Sequence, residues 1–149
     1  MPERPEDIFA RLMPGQDVTK AKRTKKGNPY VHEVGEFEPG TYGQRLEGKP
    51  HVKISPKAKP HELAHEEAHV DQLYAPGGME AIDAGYDEAG AGRLYSTYGL
   101  SPDDAGWLAY ANRPTELQAR QAAGDPDLRF KELMAKIEQL RARRMGRRK

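Results

Sequence analysis

The 149-residue chain contains no cysteine, which excludes disulfide bonds and thiolate metal ligands. It also lacks any apolar run long enough to cross a bilayer, so we expect no membrane partner. The N-terminus MPERPEDIFARLMPG is charged and proline-rich and has no apolar secretory segment. These absences favour a cytoplasmic protein, or a virion-associated one if it is encoded by a phage. Because only 36% of the residues are hydrophobic and 32% are charged, we expect one small core and a highly charged surface.

The formal net charge is only +1, but the charges are segregated along the chain. Residues 20–26, KAKRTKK, and residues 140–149, LRARRMGRRK, are basic. Residues 62–104 contain ten acidic residues and one basic residue. One interpretation is that residues 140–149 contact nucleic acid or another acidic partner. The other is that they form a solvated terminus that neutralises the acidic middle of the same molecule.

Apolar spacing, prolines and glycines predict short strands followed by helices, which is an α+β fold. A polar, basic loop is predicted over residues 15–28. Residues 79–98 contain several glycines, so only part of this range is expected to be helical. The predicted strands are residues 30–34, 41–46 and 51–55, with turns at Gly35, Pro39-Gly40 and Gly48-Lys49-Pro50. The predicted helices are residues 5–13, 60–74, 102–111, 114–124 and a last helix that begins near residues 125–127.

Three histidines lie four residues apart in PHELAHEEAHVDQ, residues 60–72. Residues i and i+4 of a helix share a face, so two such imidazoles can bind one zinc ion, and a glutamate directly after the first histidine can reach a metal-bound water. His61 and His69 are roughly 12 Å apart along a helix axis and cannot both bind one ion well. The motif therefore has two frames, His61/Glu62/His65 and His65/Glu66/His69.

The second frame, His65/Glu66/His69, is favoured because it lies in the middle of the helix. His61 falls in the first turn, where the positive end of the helix opposes a dication. Leu63, Val70 and Leu73 are expected to be buried beneath the second frame. One feature disfavours this frame: Glu67 lies between the two histidines, where an uncharged residue would be electrostatically more favourable. The alternative to a metal site is a set of surface histidines on a charged helix.

The third ligand must be a carboxylate, because the five histidines are residues 32, 51, 61, 65 and 69 and none follows the motif. We favour Glu116 in NRPTELQAR, on a new helix that begins at Pro114. The alternative interpretation is that Glu116 is an exposed residue at a helix start, where a negative charge is electrostatically favourable in any protein. The other candidate ligands are Glu80, Asp83, Asp87, Glu88 and Asp103.

The segments LAHEEAHVDQ and RPTELQAR together resemble the gluzincin clan of zinc metallopeptidases. The resemblance is greatest to small bacterial and phage-encoded members with H-E-x-x-H-V-x-Q and a later P-x-E-x-x-A segment. It implies a minimal zincin-like fold, with His65, His69 and Glu116 as Zn²⁺ ligands and Glu66 as the general base. Residues 50–124 would form the metallopeptidase core of a single compact domain, with residues 1–49 as an N-terminal extension and residues 125–149 as an amphipathic helix with a basic tail. Gln118 departs from the family pattern, which often has an acid there.

The activity implied by the resemblance is metal-assisted hydrolysis of a peptide bond in a protein or peptide substrate. An extended peptide is expected to pair with an exposed strand edge such as residues 51–55. Possible transition-state donors are Tyr95, Tyr98, Tyr110 and Arg113. Two other classes of function stay open. One is a catalytically silent zinc-binding structural or adaptor protein, and the other is a nucleic-acid-associated protein that uses its basic tail.

Overall fold

The computed structural model describes residues 3–38, 43–45 and 48–147, and the predicted α+β fold is confirmed. Strands lie in the N-terminal part and helices dominate the C-terminal part. The strands are β1 (Lys22–Arg23), β2 (Pro29–Val34), β3 (Gly43–Arg45) and β4 (His51–Ile54). The helices are α1 (Pro5–Leu12), a short 3-10 helix (Val18–Lys20), α2 (Pro60–Tyr74), α3 (Gly78–Ile82), α4 (Glu88–Thr97), α5 (Pro102–Ala111), α6 (Pro114–Ala123) and α7 (Leu128–Arg147).

The four strands form one sheet in the order β1-β2-β4-β3. β2 and β4 are parallel, and the other two pairs are antiparallel. The expectation that residues 51–55 form an exposed edge is wrong, because β4 has a paired strand on each side. Val52 and Ile54 of β4 are buried, as a strand in the middle of a sheet requires.

The predicted loop over residues 15–28 is partly wrong, because it contains the 3-10 helix and β1. The side chain of Asp17 accepts a hydrogen bond from the Thr19 amide and so caps the 3-10 helix. Both elements are too short to produce a periodic pattern in the sequence. Of the strand predicted at residues 41–46, the structure gives Gly43–Arg45; residues 41, 42 and 46 and the turn Pro39-Gly40 lie outside the described residues.

The chain divides into two compact units, Met1–Ile82 with Gln118–Asp125, and Asp83–Leu117 with Pro126–Lys149. The boundary falls inside α6, a continuous helix whose first turn belongs to the second unit. The core of the first unit consists of Tyr30, Val52, Ile54 and Val70. The core of the second consists of Leu100, Ala105, Leu108, Leu133 and Ile137. No helix in the described residues is both long and apolar enough to cross a membrane.

Helix α2 begins at Pro60 and ends at Tyr74, as the sequence predicted. The apolar face of α2 packs on the core of the first unit. Val70 belongs to that core, and Leu63 and Tyr74, at helical spacing from Val70, pack against it. Val70 is completely buried, which confirms part of the prediction that apolar residues lie beneath the histidines; Leu63 and Leu73 are only half-buried.

Candidate metal centre

One face of α2 is anchored to the β1–β2 hairpin by hydrogen bonds. The Tyr30 hydroxyl donates to Glu67, and the Asn28 amide and Thr24 hydroxyl donate to Asp71. The Tyr74 hydroxyl donates to the Pro29 carbonyl. Positions 67, 71 and 74 lie on one face of a helix, because they are four and three residues apart. These contacts fix the rotation of α2 about its axis.

The opposite face of α2 carries His65, His69 and Gln72, which are again four and three residues apart. Position 65 is two residues from position 67, so the two faces are about 200° apart around the axis. His65 Nε2 and His69 Nε2 are 3.2 Å apart, with the two rings edge to face. Two nitrogens that bind one tetrahedral zinc ion at ~2.0–2.1 Å lie about 3.3 Å apart, so this pair has the separation that such an ion requires.

Gln72 determines which nitrogen of His69 is protonated. His69 Nδ1 lies 2.8 Å from Gln72 Oε1, and a carbonyl oxygen can only accept a hydrogen bond. His69 therefore carries its hydrogen on Nδ1 and directs the lone pair of Nε2 towards His65. Gln72 Nε2 in turn donates to Gln118 Oε1 over 3.4 Å, which orients the Gln72 amide. Gln118 thus helps to orient the His69 ring indirectly, through Gln72.

Asp125, in the segment after α6, is the charged group that faces the other side of the His65 ring. Its Oδ2 lies 3.9 Å from His65 Nδ1, an electrostatic contact rather than a hydrogen bond. A carboxylate at this position favours a hydrogen on Nδ1 and so leaves Nε2 of His65 as the lone-pair donor. Both histidines therefore have a partner that favours the tautomer required of a metal ligand.

Glu116, in the first turn of α6, completes a group that could hold a metal ion. His65, His69 and Glu116 each offer one ligand atom, and these atoms lie within 4.8 Å of one another. Glu116 is 6% exposed and His69 is 5% exposed, so these two are shielded from bulk water, whereas His65 is partly exposed. The Tyr110 hydroxyl donates a 2.6 Å hydrogen bond to Glu116 Oε1, which orients the carboxylate. Two imidazoles and one carboxylate are a ligand set typical of catalytic zinc, so the residues fit the ion that the sequence suggested.

The start of α6 is held by Asp83. Asp83 Oδ1 accepts from the Thr115 amide, and Asp83 Oδ2 accepts from the Thr115 hydroxyl, both at 2.9 Å. Thr115 is buried and directly precedes Glu116. A carboxylate from elsewhere in the chain thus provides the cap that Arg113, the residue before the helix, cannot provide.

Glu66, the expected general base, lies beside β3. A Cβ atom placed on Gly43 would come within 3.2 Å of Glu66 Cγ and 2.8 Å of Ile54 Cδ1. A glycine is therefore needed at position 43 for the sheet, helix and Glu66 side chain to approach one another so closely. Because Glu66 directly follows His65 on α2, it lies about 100° further around the helix axis than His65.

His61 belongs to no group of metal-binding type within the described part of the chain. His61 Nε2 lies 3.9 Å from Glu62 Oε1. Glu67, which disfavoured the second frame in the sequence, lies on the opposite side of α2 from His65 and His69. It faces the sheet and accepts a hydrogen bond from the Tyr30 hydroxyl. Burial and this hydrogen bond raise the pKa of Tyr30, so its hydroxyl stays protonated as the donor.

Several of the other candidates have structural roles. Among the alternative ligands, Asp83 caps α6, Asp87 accepts from the Gly90 amide at the start of α4, and Glu88 forms a two-fold ion pair with Arg113. Among the possible transition-state donors, Arg113 is held in that ion pair and Tyr110 donates to Glu116. The Tyr95 hydroxyl accepts from Asn112.

Comparisons of the chain with protein-family models, curated proteins and solved structures returned no match.

Proposed function

We propose that the chain is a zinc-dependent metallopeptidase of the gluzincin type. In this proposal His65, His69 and Glu116 hold the ion and Glu66 is the general base. The observation that carries it is the group of two imidazoles and one buried carboxylate whose ligand atoms lie within 4.8 Å of one another. The hydrogen bond from His69 to Gln72 adds support, because it directs a lone pair to the side where the ion would bind.

Zinc bound to these residues would supply a water of lowered pKa and a Lewis acid for the scissile carbonyl. Glu66 would accept a proton from that water at a carboxylate oxygen as the water oxygen attacks the carbonyl carbon. When the C–N bond breaks, Glu66 would return the proton to the amine nitrogen. One water is consumed, and Glu66 ends in its starting protonation state.

The exposed strand next to Glu66 is β3, at the end of the sheet order, and we assign the peptide to this edge instead of β4. Among the described residues, β3 pairs only with β4, so its other edge is available for a substrate strand. An extended peptide added there would run past Glu66, which packs against Gly43.

The Glu66→Gln variant tests this proposal. It should retain zinc and lose cleavage of an unfolded protein substrate by at least about 10²-fold, the usual contribution of a general base. Glu67→Gln is the matched control, because the neighbouring side chain faces Tyr30 and a glutamine can still accept that hydrogen bond. Cleavage by Glu66→Gln at the native rate would contradict the proposed role. A native protein that binds zinc but cuts nothing would favour the silent zinc-binding alternative.

A further inference from the structure

A second, separate feature of the first unit is an open cavity of about 410 Å³ beside β2. Lys20, Lys22 and His32 are among the residues that line it, together with Asp17 and Gln16. Both lysines belong to the basic run of residues 20–26, which does not contribute to the candidate metal centre. Apolar side chains of Ala21, Val31 and Val34 form the rest of the lining.

Backbone amides of β2 point to the edge of the strand where the cavity lies. The Val31 amide donates to the Pro50 carbonyl and the Gly35 amide donates to the Ile54 carbonyl, both on the β4 side. Because successive residues of a strand point their amides to opposite edges, the His32 and Val34 amides face away from β4. β1 pairs with Pro29 and Tyr30, and among the described residues no strand pairs with this later stretch of the edge.

The side chains of the cavity are also rich in donors. His32 Nε2 is almost inaccessible to solvent, yet it has no hydrogen-bond partner. Burial and the nearby Lys22 ammonium lower the pKa of His32, against a smaller opposing effect of Glu67. The carboxylate in the lining, Asp17, already accepts from the Thr19 amide and hydroxyl through Oδ1. Such a site stabilises a ligand that accepts hydrogen bonds and carries negative charge.

We propose that this cavity binds a phosphate monoester of about the size of a mononucleotide. A terminal phosphate carries about −1.5 to −2 charges at neutral pH and offers three acceptor oxygens, which match the ammonium groups of the two lysines and the backbone amides at the free edge of β2. The apolar lining contacts the organic part of the ester, and a cavity of 410 Å³ accommodates a ligand of that size.

The test is an NMR titration of the full-length protein in which the His32 ring resonances are followed. The probes are inorganic phosphate and adenosine 5′-monophosphate, each compared with sodium chloride at equal ionic strength. Both phosphates should shift His32 in a saturable way and raise its titration midpoint, because a bound anion stabilises the imidazolium form. Tighter binding of the nucleotide supports an ester as the ligand, whereas equal binding of the two probes overturns the ester and leaves inorganic phosphate as the ligand.

Lys22→Gln should weaken phosphate binding by about tenfold, the effect of losing one charge-assisted hydrogen bond. Lys25→Gln is the matched control, since Lys25 belongs to the same basic run but is not among the lining residues. Lys20→Gln repeats the test at a second position if Lys22→Gln does not fold. The proposal is overturned if chloride and phosphate shift His32 equally, if only His65 and His69 respond, or if Lys25→Gln weakens binding as much as Lys22→Gln does.

Discussion

Tyr110 donates a 2.6 Å hydrogen bond to Glu116, a carboxylate that is only 6% exposed. The bond orients the carboxylate relative to the two imidazoles. Partners of this kind fix the orientation of a ligand, and their loss usually weakens metal binding by about 10–100-fold. At the scale of single residues, Tyr110 and Gln72 are thus as much a part of the candidate centre as the ligands.

Tyr110→Phe should lower zinc affinity by about 10–100-fold, because the Glu116 carboxylate loses the donor that orients it. Competition with a chromophoric chelator measures this affinity directly. Tyr98→Phe is the control, since it removes a hydroxyl from a ring that packs against the core of the second unit. Equal zinc affinities for native protein and Tyr110→Phe would show that the hydrogen bond does not position the ligand.

The sequence was informative about residues wherever one helix holds both partners. The spacing of four between His65 and His69 predicts the imidazole pair, and the spacing of three between His69 and Gln72 is a signal of the same kind. Tyr110 and Asp125 contact their partners through the packing of separate segments. No spacing in the sequence encodes those contacts, so they were missed.

At the scale of elements, the position of Glu116 depends on how α6 begins. Asp83 makes two hydrogen bonds to Thr115, which fixes the first turn of α6 directly beside the ligand. The four first amides of a helix have no partner within it, and a carboxylate that accepts from one of them also interacts favourably with the helix dipole.

Asp83→Ala should lower the free energy of unfolding by about 1–2 kcal/mol, as expected for the loss of a helix cap. It should also weaken zinc binding, because the first turn of α6 carries Glu116. Chemical denaturation and a zinc titration measure the two effects. Asp87→Ala removes a cap from α4 instead and should leave zinc affinity unchanged. If both variants changed zinc affinity alike, the cap would have no particular role in placing Glu116.

Most helices could be predicted from local signals. Pro60 and the Pro76-Gly77 pair delimit α2, and Ser101 caps α5 by accepting from the Asp104 amide, as its sequence predicted. The order of the strands could not be predicted, because β4 pairs with β2 although β3 lies between them in the sequence. That pairing depends on long-range burial of Val52 and Ile54, and the local pattern of a short strand does not specify its neighbours.

At the scale of the whole molecule, the partly buried histidine of β2, His32, links stability to pH. Burial and Lys22 lower the pKa of His32 in the folded protein below its ordinary value, and Glu67 only partly offsets this. Protonation therefore favours the unfolded chain. The destabilisation that His32 contributes is absent above the ordinary histidine pKa, grows as the pH drops below it, and stops growing below the lowered pKa of the folded state.

His32→Gln should reduce the loss of thermal stability between about pH 7.5 and 5.5, because glutamine does not titrate. Lys22→Gln should reduce the loss partially, since it keeps the ring but removes the repelling charge. Melting temperatures in phosphate-free buffers provide the measurement. Parallel profiles for the native protein and His32→Gln would contradict this explanation of the acid sensitivity.

The basic C-terminus is in part a structural element of the second unit. The Arg141 guanidinium stacks over the Tyr98 ring, and Arg144 donates to the Thr97 carbonyl. Arg148 and Lys149 lie outside the described residues. A contact of residues 140–149 with nucleic acid stays a prediction, and salt-dependent binding that is lost with these residues would be its signature.

Elemental analysis of the purified protein tests the metal centre most directly. The native protein should contain one zinc ion per chain, and His61→Ala should contain the same amount. His69→Ala and Glu116→Ala should lose the ion, because each removes one member of the group whose ligand atoms lie within 4.8 Å of one another. Loss of zinc from His61→Ala with retention in His69→Ala would contradict the account, and so would a native protein without bound metal.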